Sequence, residues 1–224
     1  MMYQTIFDKI YNRIAETPDF PRAKVALLFE ALPPHSMNLP ALIYLLPWGN
    51  EINEETEMNA AALTSMTISI FIHEDTGKNH AFTEKEAVLN GDFLFALSFN
   101  LLPATAIKET AVDFVKAYGR FNEGRLNHKC GETKKPPTAT GLAFERTDYG
   151  QLLWEIGRLA AKNAGRTEAE QTAYTELAGD IGTLWELRLK GYDMDVDGLI
   201  AKIEKEIADL PWTQYLTPLL QSMK

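Results

Sequence analysis

The sequence predicts an all-α fold, read as a single domain of about ten helices spanning residues 1–224. Three observations lead there. Apolar residues recur at three- and four-residue steps along almost the whole chain, no stretch reads convincingly as a strand, and the breaks between periodic stretches carry helix start and stop signals. Ile6, Ile10, Tyr11 and Ile14 make one apolar stripe of a first helix. Ala23–Ala31 is a second, stopped by Pro33 and Pro34, which block the helix hydrogen bond and restrict the residue before them. Asn38 caps a third, with Pro40 in its first turn. Glu57–Ile72 is apolar on nearly every face, as a helix inside a bundle would be; its β-branched end, TISIFI, has no partner strand nearby and stays helical.

Thr83 with Glu86 is a capping box opening a helix over Glu84–Leu102, which Pro103 ends. Thr105–Arg120 is the next helix, and 129–140, with Gly131, Pro136 and Pro137, is the clearest loop. Ala143–Ala164 is helical and stopped by Gly165 as a left-handed cap. Thr167 with Glu170 is a second capping box, starting a helix that runs to about Lys190. Asp197–Leu210 and Trp212–Met223, parted by Pro211, close the chain.

Composition narrows the function classes. The 224 residues carry 22 Lys and Arg against 31 Asp and Glu, a net charge of −9, which disfavours general binding to nucleic-acid backbones. Cys130 is the only cysteine, so no internal disulfide forms and a reducing compartment suits the chain. Asp8 and Lys9 interrupt the N-terminal stripe, unlike the core of a signal peptide, and the uncharged run Ala60–Ile72 is shorter than the ~20 residues that cross a bilayer. A cytoplasmic protein with no membrane span is expected.

From Phe71 the chain reads FIHEDTGKNHAFTEKEAVLNG and continues DFLFALSFNLL. This resembles the trans-polyprenyl diphosphate synthase family, in which a buried helix ends in an H-D-D-x-x-D type motif and a later helix opens with a phrase close to A-V-L-x-G-D-x-L-x-A. The second phrase is nearly intact as Ala87, Val88, Leu89, Gly91, Asp92, Leu94 and Ala96. The first is altered: its acidic positions hold Glu74, Asp75 and Lys78. Carboxylates one and four apart line one helical face and jointly hold Mg²⁺, which neutralises a departing diphosphate; a lysine in the third place repels those ions.

Further matches carry further losses. Residues 123–128, E-G-R-L-N-H, lie where the family has G-E-x-x-Q, with Arg125 for glutamate and His128 for glutamine. Arg146-Thr147 stands where the family has a diphosphate-contacting Lys-Thr. Tyr174–Asp193 matches the helix of the second aspartate cluster through Gly182 and Trp185, but Leu189 and Lys190 replace the first two acids and only Asp193 remains. Ser36-Met37-Asn38 replaces a Gly-Lys-Arg patch, and the Arg-Arg-Gly segment after the first motif is missing. The closing stretch, with Leu210-Pro211 and Tyr215, again looks like the family's.

The resemblance implies an isoprenoid-synthase-type helical bundle. It also implies a role: the non-catalytic small subunit of a heterodimeric synthase of the hexaprenyl or heptaprenyl type. The catalytic partner subunit would hold Mg²⁺ and elongate an allylic prenyl diphosphate with isopentenyl diphosphate, Glu84–Leu102 would be the contact surface, and a homodimer could form when the partner is absent. Arg146, Thr147 and His128 are the substrate-binding candidates, and Glu74, Asp75 and Asp193 the residual metal ligands.

The residues themselves leave other readings open. Glu74 and Asp75 also fit a solvated helix end. His73 and His80, with Asp75, could hold a transition metal if the helix continued past Gly77. Asp193, Asp195, Asp197, Gly198 and Glu204 match the calcium-loop pattern D-x-[DN]-x-[DN]-G-x₅-E at each specified position, with Ile200 in its apolar place; the alternative is an acidic turn in which Asp197 caps the next helix. Arg125, His128, Lys129, Lys134 and Lys135 form the one basic concentration, facing either a diphosphate, an acidic partner or solvent. Cys130 has nothing nearby to activate a thiolate. Phe95, Phe99, Trp154 and Trp185 serve either the core or the wall of a prenyl tunnel. Two further functions stand beside the first: a stand-alone Mg²⁺-dependent prenyltransferase using Glu74, Asp75, Arg146 and Asp193, and a non-enzymatic binding module with a calcium-responsive loop.

Overall fold

Helix start signals decide most of the architecture. The computed structural model of the chain describes residues 38–74, 83–102, 109–130, 146–191, 196–208 and 213–223, with Asn12, Glu16 and Leu210. Among these there are eight α-helices and no strand: α1 (Asn38–Leu45), α2 (Glu54–Glu74), α3 (Glu84–Asn100), α4 (Glu109–Cys130), α5 (Asp148–Asn163), α6 (Glu168–Leu189), α7 (Asp197–Ala208) and α8 (Thr213–Ser222), with a 3₁₀ turn over Leu46–Glu51. The two helices expected at the N-terminus lie outside the described residues. Those described fall into two compact units, divided at Leu45/Leu46, Gly49/Asn50 and Val112/Asp113.

In the first unit α1 and α3 both pack on α2. α2 starts three residues before the expected Glu57, because Asn53 and Thr56 form a reciprocal cap: Thr56 N–H donates to Asn53 Oδ1 at 3.0 Å, and Asn53 N–H to Thr56 Oγ1 at 3.1 Å. Glu54, Glu55 and Glu57 then favour the positive end of the helix dipole. From Asn59 to Ile72 every residue is buried, including four hydroxyl side chains. Thr64 and Thr67 donate to the carbonyls of Ala60 and Leu63, and Ser65 donates to the Leu94 carbonyl of α3 at 2.8 Å. The TISIFI end is helix. α3 opens with the expected box, Thr83 accepting from Glu86 N–H while the Glu86 carboxylate accepts from Thr83.

In the second unit α5 and α6 make the closest pair, with α7 against α6 and α8 against α7. The α5–α6 approach is backbone-close. A methyl group at Gly182 would meet the Tyr149 carbonyl at 2.6 Å, and one at Gly157 would meet the Ala178 methyl at the same distance. α6 carries the expected Thr167–Glu170 capping box, which holds the Glu170 carboxyl below its usual range through the Thr167 backbone and side-chain hydrogen bonds. Gly165 has the expected left-handed backbone, φ +64°, at the end of α5, and Gly191, φ +61°, follows α6. The Arg166 guanidinium holds the Pro47 carbonyl of the 3₁₀ turn, its Nε at 2.8 Å.

Two further boundaries differ from the expected ones. α4 runs ten residues past Arg120, and Phe114, Ala117 and Phe121 carry its buried stripe past Gly119. Arg125, His128, Lys129 and Cys130 are therefore on a helix, where the loop was expected from 129. α5 starts at Asp148, since Thr147 caps it by accepting from Gly150 N–H at 3.1 Å, so Arg146 and Thr147 precede the helix.

Gly182→Ala is expected to cost about 2–3 kcal/mol, lowering Tm by roughly 5–10 °C, because its methyl group meets backbone that cannot swing aside. Gly198→Ala, with nothing within 4 Å of the added carbon, is expected to leave Tm unchanged or slightly raised; thermal melts by circular dichroism check both.

Candidate functional site

In the first unit the candidate motif begins where α2 ends. Glu74 is the last residue of α2, its side chain outside the described residues, as are Asp75, Lys78 and His80. His73 turns onto α3. Its ring fills the space above Gly91, where an added methyl carbon would lie 2.6 Å from Nε2, and Nε2 stands 3.4 Å from Asp92 Oδ1. The Gly91-Asp92 pair thus has a local purpose, seating an imidazole between two helices, and His73 faces α3. Phe95 and Phe99 meet edge to face at 5.3 Å and are half-buried. On the face of α3 turned away from α2, Val88 is 42% and Leu89 57% exposed.

In the second unit the start of α5 lies beside α6. Arg146 Nη2 donates to Glu176 Oε2 at 2.6 Å, its guanidinium lies 5.2 Å from the centre of the Trp154 ring, and Trp154 Nε1 donates to Glu176 Oε1 at 2.9 Å. Both carboxylate oxygens of Glu176 are engaged. Ten residues along α6, the buried Glu186 accepts Tyr149 N–H at 2.6 Å with Oε2 and pairs with Lys190 through Oε1. Lys190 is the residue standing at an expected acid position; its neighbour Leu189 is exposed. A third carboxylate, Glu155, is fully buried and joins α5 to α4: Arg120 Nη2 donates to it at 2.7 Å and Arg158 Nε at 3.0 Å. That hydrogen bond, with the nearby carboxylates, raises the Arg120 guanidinium further above its ordinary value.

The structure thus brings Arg146 and Thr147 together but gives each an internal partner. His128 lies on α4, its side chain outside the described residues. Asp193 and Asp195 are likewise outside. The described remainder of the calcium pattern is helix. α7 begins at Asp197, Gly198 lacks a positive φ, and Glu204 stands about 10.5 Å further along the axis at ~1.5 Å per residue. A calcium loop of this pattern turns sharply at its glycine and offers the next carbonyl, here that of Leu199, to the ion; within a helix that carbonyl points along the axis toward residue 203. Positions 197–204 thus lie in the helix expected from Asp197. Among the described residues no group of three or more His, Cys, Asp and Glu could hold a metal ion. None of their helices is long and apolar enough to cross a membrane.

Glu155, Glu176 and Glu186 were not foreseen as site residues. Glu186 and Glu155 each left a local signal, a cation four or three places on in Lys190 and Arg158. Glu176 left none, since Arg146 is thirty residues away.

No protein-family model matches the sequence, and no curated protein sequence does. The likeness is in three dimensions. A mint deletion mutant of heterotetrameric geranyl pyrophosphate synthase superposes with TM-score 0.67 at 18% identity, over 99% of this chain and 98% of that one. A decaprenyl diphosphate synthase from Rhodobacter capsulatus gives 0.69 at 16%, over 99% and 95%. A geranyltranstransferase from Thermotoga maritima gives 0.67 at 15%, over 100% and 96%. The fold is therefore that of the trans-prenyl diphosphate synthases, the all-α bundle that the resemblance at 71–102 implied.

α7 carries one carboxyl out of its normal range. Burial, then the charges of Asp180 and Glu176, push Glu206 above the usual carboxylate range, while Lys202, itself tied to Asp180, pulls the other way. Its charged form is the costly one in the folded chain, so the cost is absent below the ordinary carboxylate range and full above the raised value. Glu206→Gln is expected to raise Tm by about 1–2 °C at neutral pH, as suits a partly exposed group, with the gain vanishing as melts are repeated below about pH 4.

Proposed function

We propose that this chain is the small, non-catalytic subunit of a heterodimeric trans-polyprenyl diphosphate synthase. The observation that carries the reading is at the end of α6. Where the second acidic cluster would supply two carboxylates, the chain has an exposed leucine, Leu189, and a lysine, Lys190, whose ammonium is already committed to Glu186. A divalent cation is repelled there by a fixed positive charge and finds no paired oxygens. Lys78 brings the same reversal to the first motif. Mg²⁺ and the ionising diphosphate then belong to a catalytic partner with intact acidic motifs, and this chain contributes helices to the assembly. A heteromeric relative of the fold is the mint geranyl pyrophosphate synthase, described as heterotetrameric.

The contact surface in this reading is the outer face of α3, where Val88 and Leu89 are exposed with Ala96 two turns on. The test is co-expression with a full-length synthase carrying intact aspartate motifs. A stable complex that elongates farnesyl diphosphate with isopentenyl diphosphate and Mg²⁺, in amounts neither chain makes alone, is the expected result. Elongation by the purified chain alone, lost in Asp75→Ala, would establish the stand-alone enzyme instead. Leu89→Asp is expected to weaken the complex about 100-fold in Kd, measured by calorimetry, because it places an unpaired charge within the contact.

A further inference from the structure

α4 presents two contrasting faces. Phe114, Ala117 and Phe121 are buried on one. On the other, Val115, Lys116, Gly119 and Glu123 are all exposed, and at about 3.6 residues per turn they fall within roughly 100° of arc. Val115 keeps 54% of its surface in solvent. Gly119 lies in the middle of this face. A glycine inside a helix costs stability, and a methyl carbon added at Gly119 would meet nothing within 4 Å, so no packing within the chain accounts for it. What bare backbone on an exposed helix face does supply is room for a second helix to come close.

The charges on the face decide which helix. Lys116 and Glu123 stand on either side of Gly119, about 10.5 Å apart along the axis at ~1.5 Å per residue. Among the described residues Lys116 has no ion pair within the chain. The charge of Glu123 reaches Arg120, at the edge of the face, whose guanidinium Glu155 already engages. A copy of α4 laid antiparallel, with a two-fold axis between positions 119 and 120, sets Lys116 of each copy opposite Glu123 of the other. A parallel copy would set Lys116 against Lys116 and Glu123 against Glu123, like charges that repel.

We propose that this face of α4 is a self-complementary docking surface for a second copy of the chain, which crosses it antiparallel at Gly119 with Lys116 and Glu123 paired reciprocally. The same crossing takes Val115 out of water. A single helix pair buries little surface, so the contact is weak. It is separate from the contact with a catalytic partner, read above on α3, and rests on the arrangement of α4 alone.

The test is the oligomeric state of the purified full chain, without any partner, by sedimentation equilibrium, with the folding of each variant checked by circular dichroism. A dimer with Kd below about 100 μM is expected. Lys116→Glu and Glu123→Lys each place like charges across the axis twice and are expected to weaken it at least about tenfold, while the double variant Lys116→Glu/Glu123→Lys restores it to within about threefold. Gly119→Leu, which has open space in the single chain, is expected to raise Tm and still weaken the dimer at least about tenfold. If that variant fails to fold, the charge reversals decide. A chain that stays monomeric at about 100 μM would overturn the proposal, even if the α4 variants weakened its complex with a co-expressed synthase, since the occupant would then be that synthase. A dimer lost in Leu89→Asp and unmoved by the α4 variants would place the self-contact on α3 instead. Single reversals that weaken the dimer without recovery in the double variant would overturn the reciprocal pairing.

Discussion

Glu186 sets a carboxylate, almost wholly buried, against the first turn of α5, and the surrounding arrangement follows from the demands of that charge. A buried carboxylate needs hydrogen-bond donors and a counter-charge, or its desolvation outweighs what its burial contributes. Tyr149 N–H supplies the donor, together with the positive end of the α5 dipole, and Lys190 supplies the charge. Placing that N–H within reach requires α5 to begin at Asp148, which Thr147 arranges as its cap, and requires α6 to lie close enough for Gly182 to touch the Tyr149 carbonyl. Tyr149 and Trp185 then meet at a tilt, ring centres 5.3 Å apart, with the Lys190 ammonium over the Tyr149 ring. Cap, glycine contact and ion pair are parts of one fit between two helices.

The same requirement recurs along those helices. Glu155 is answered by Arg120 and Arg158, and Glu176 by Arg146 and Trp154. Each carboxylate meets a cation from within the unit, so the positive charges near the start of α5 are satisfied before any ligand arrives. A site built to hold diphosphate through metal ions needs the reverse, carboxylates left uncompensated until the ions come. Lys190 is where that reversal is most concrete.

What the sequence revealed and what it withheld divide along a physical line. Local signals were legible: the capping boxes at Thr83 and Thr167, the left-handed Gly165 and the all-round burial of α2 each depend on residues within a turn or two of one another. The start of α2 was missed because its cap pairs Asn53 with Thr56, where the familiar pattern has a Glu or Gln reaching back. The end of α4 was missed because Gly119 weakens the local preference for helix, while Phe121, packed as a core residue, restores it through tertiary contact. The calcium pattern overlaps a helix signal that was equally legible. Every ligand type stood at its required spacing, but Leu199, Ile200, Ile203 and Ile207 make an apolar stripe, and burying that stripe turned the described half of the pattern into helix.

Gly91 and Asp92 carry the lesson furthest. They belong to the phrase that most resembles the prenyl synthases, yet here their contacts are with His73, whose ring takes the space a side chain at 91 would fill. A phrase of this kind can persist for its packing after the acids beside it have changed, since its glycine answers to the neighbouring helix and not to a metal. The resemblance in sequence is therefore strongest where the fold constrains the chain, at Ala87–Leu94 on α3, and weakest where chemistry would, at Lys78, Leu189 and Lys190.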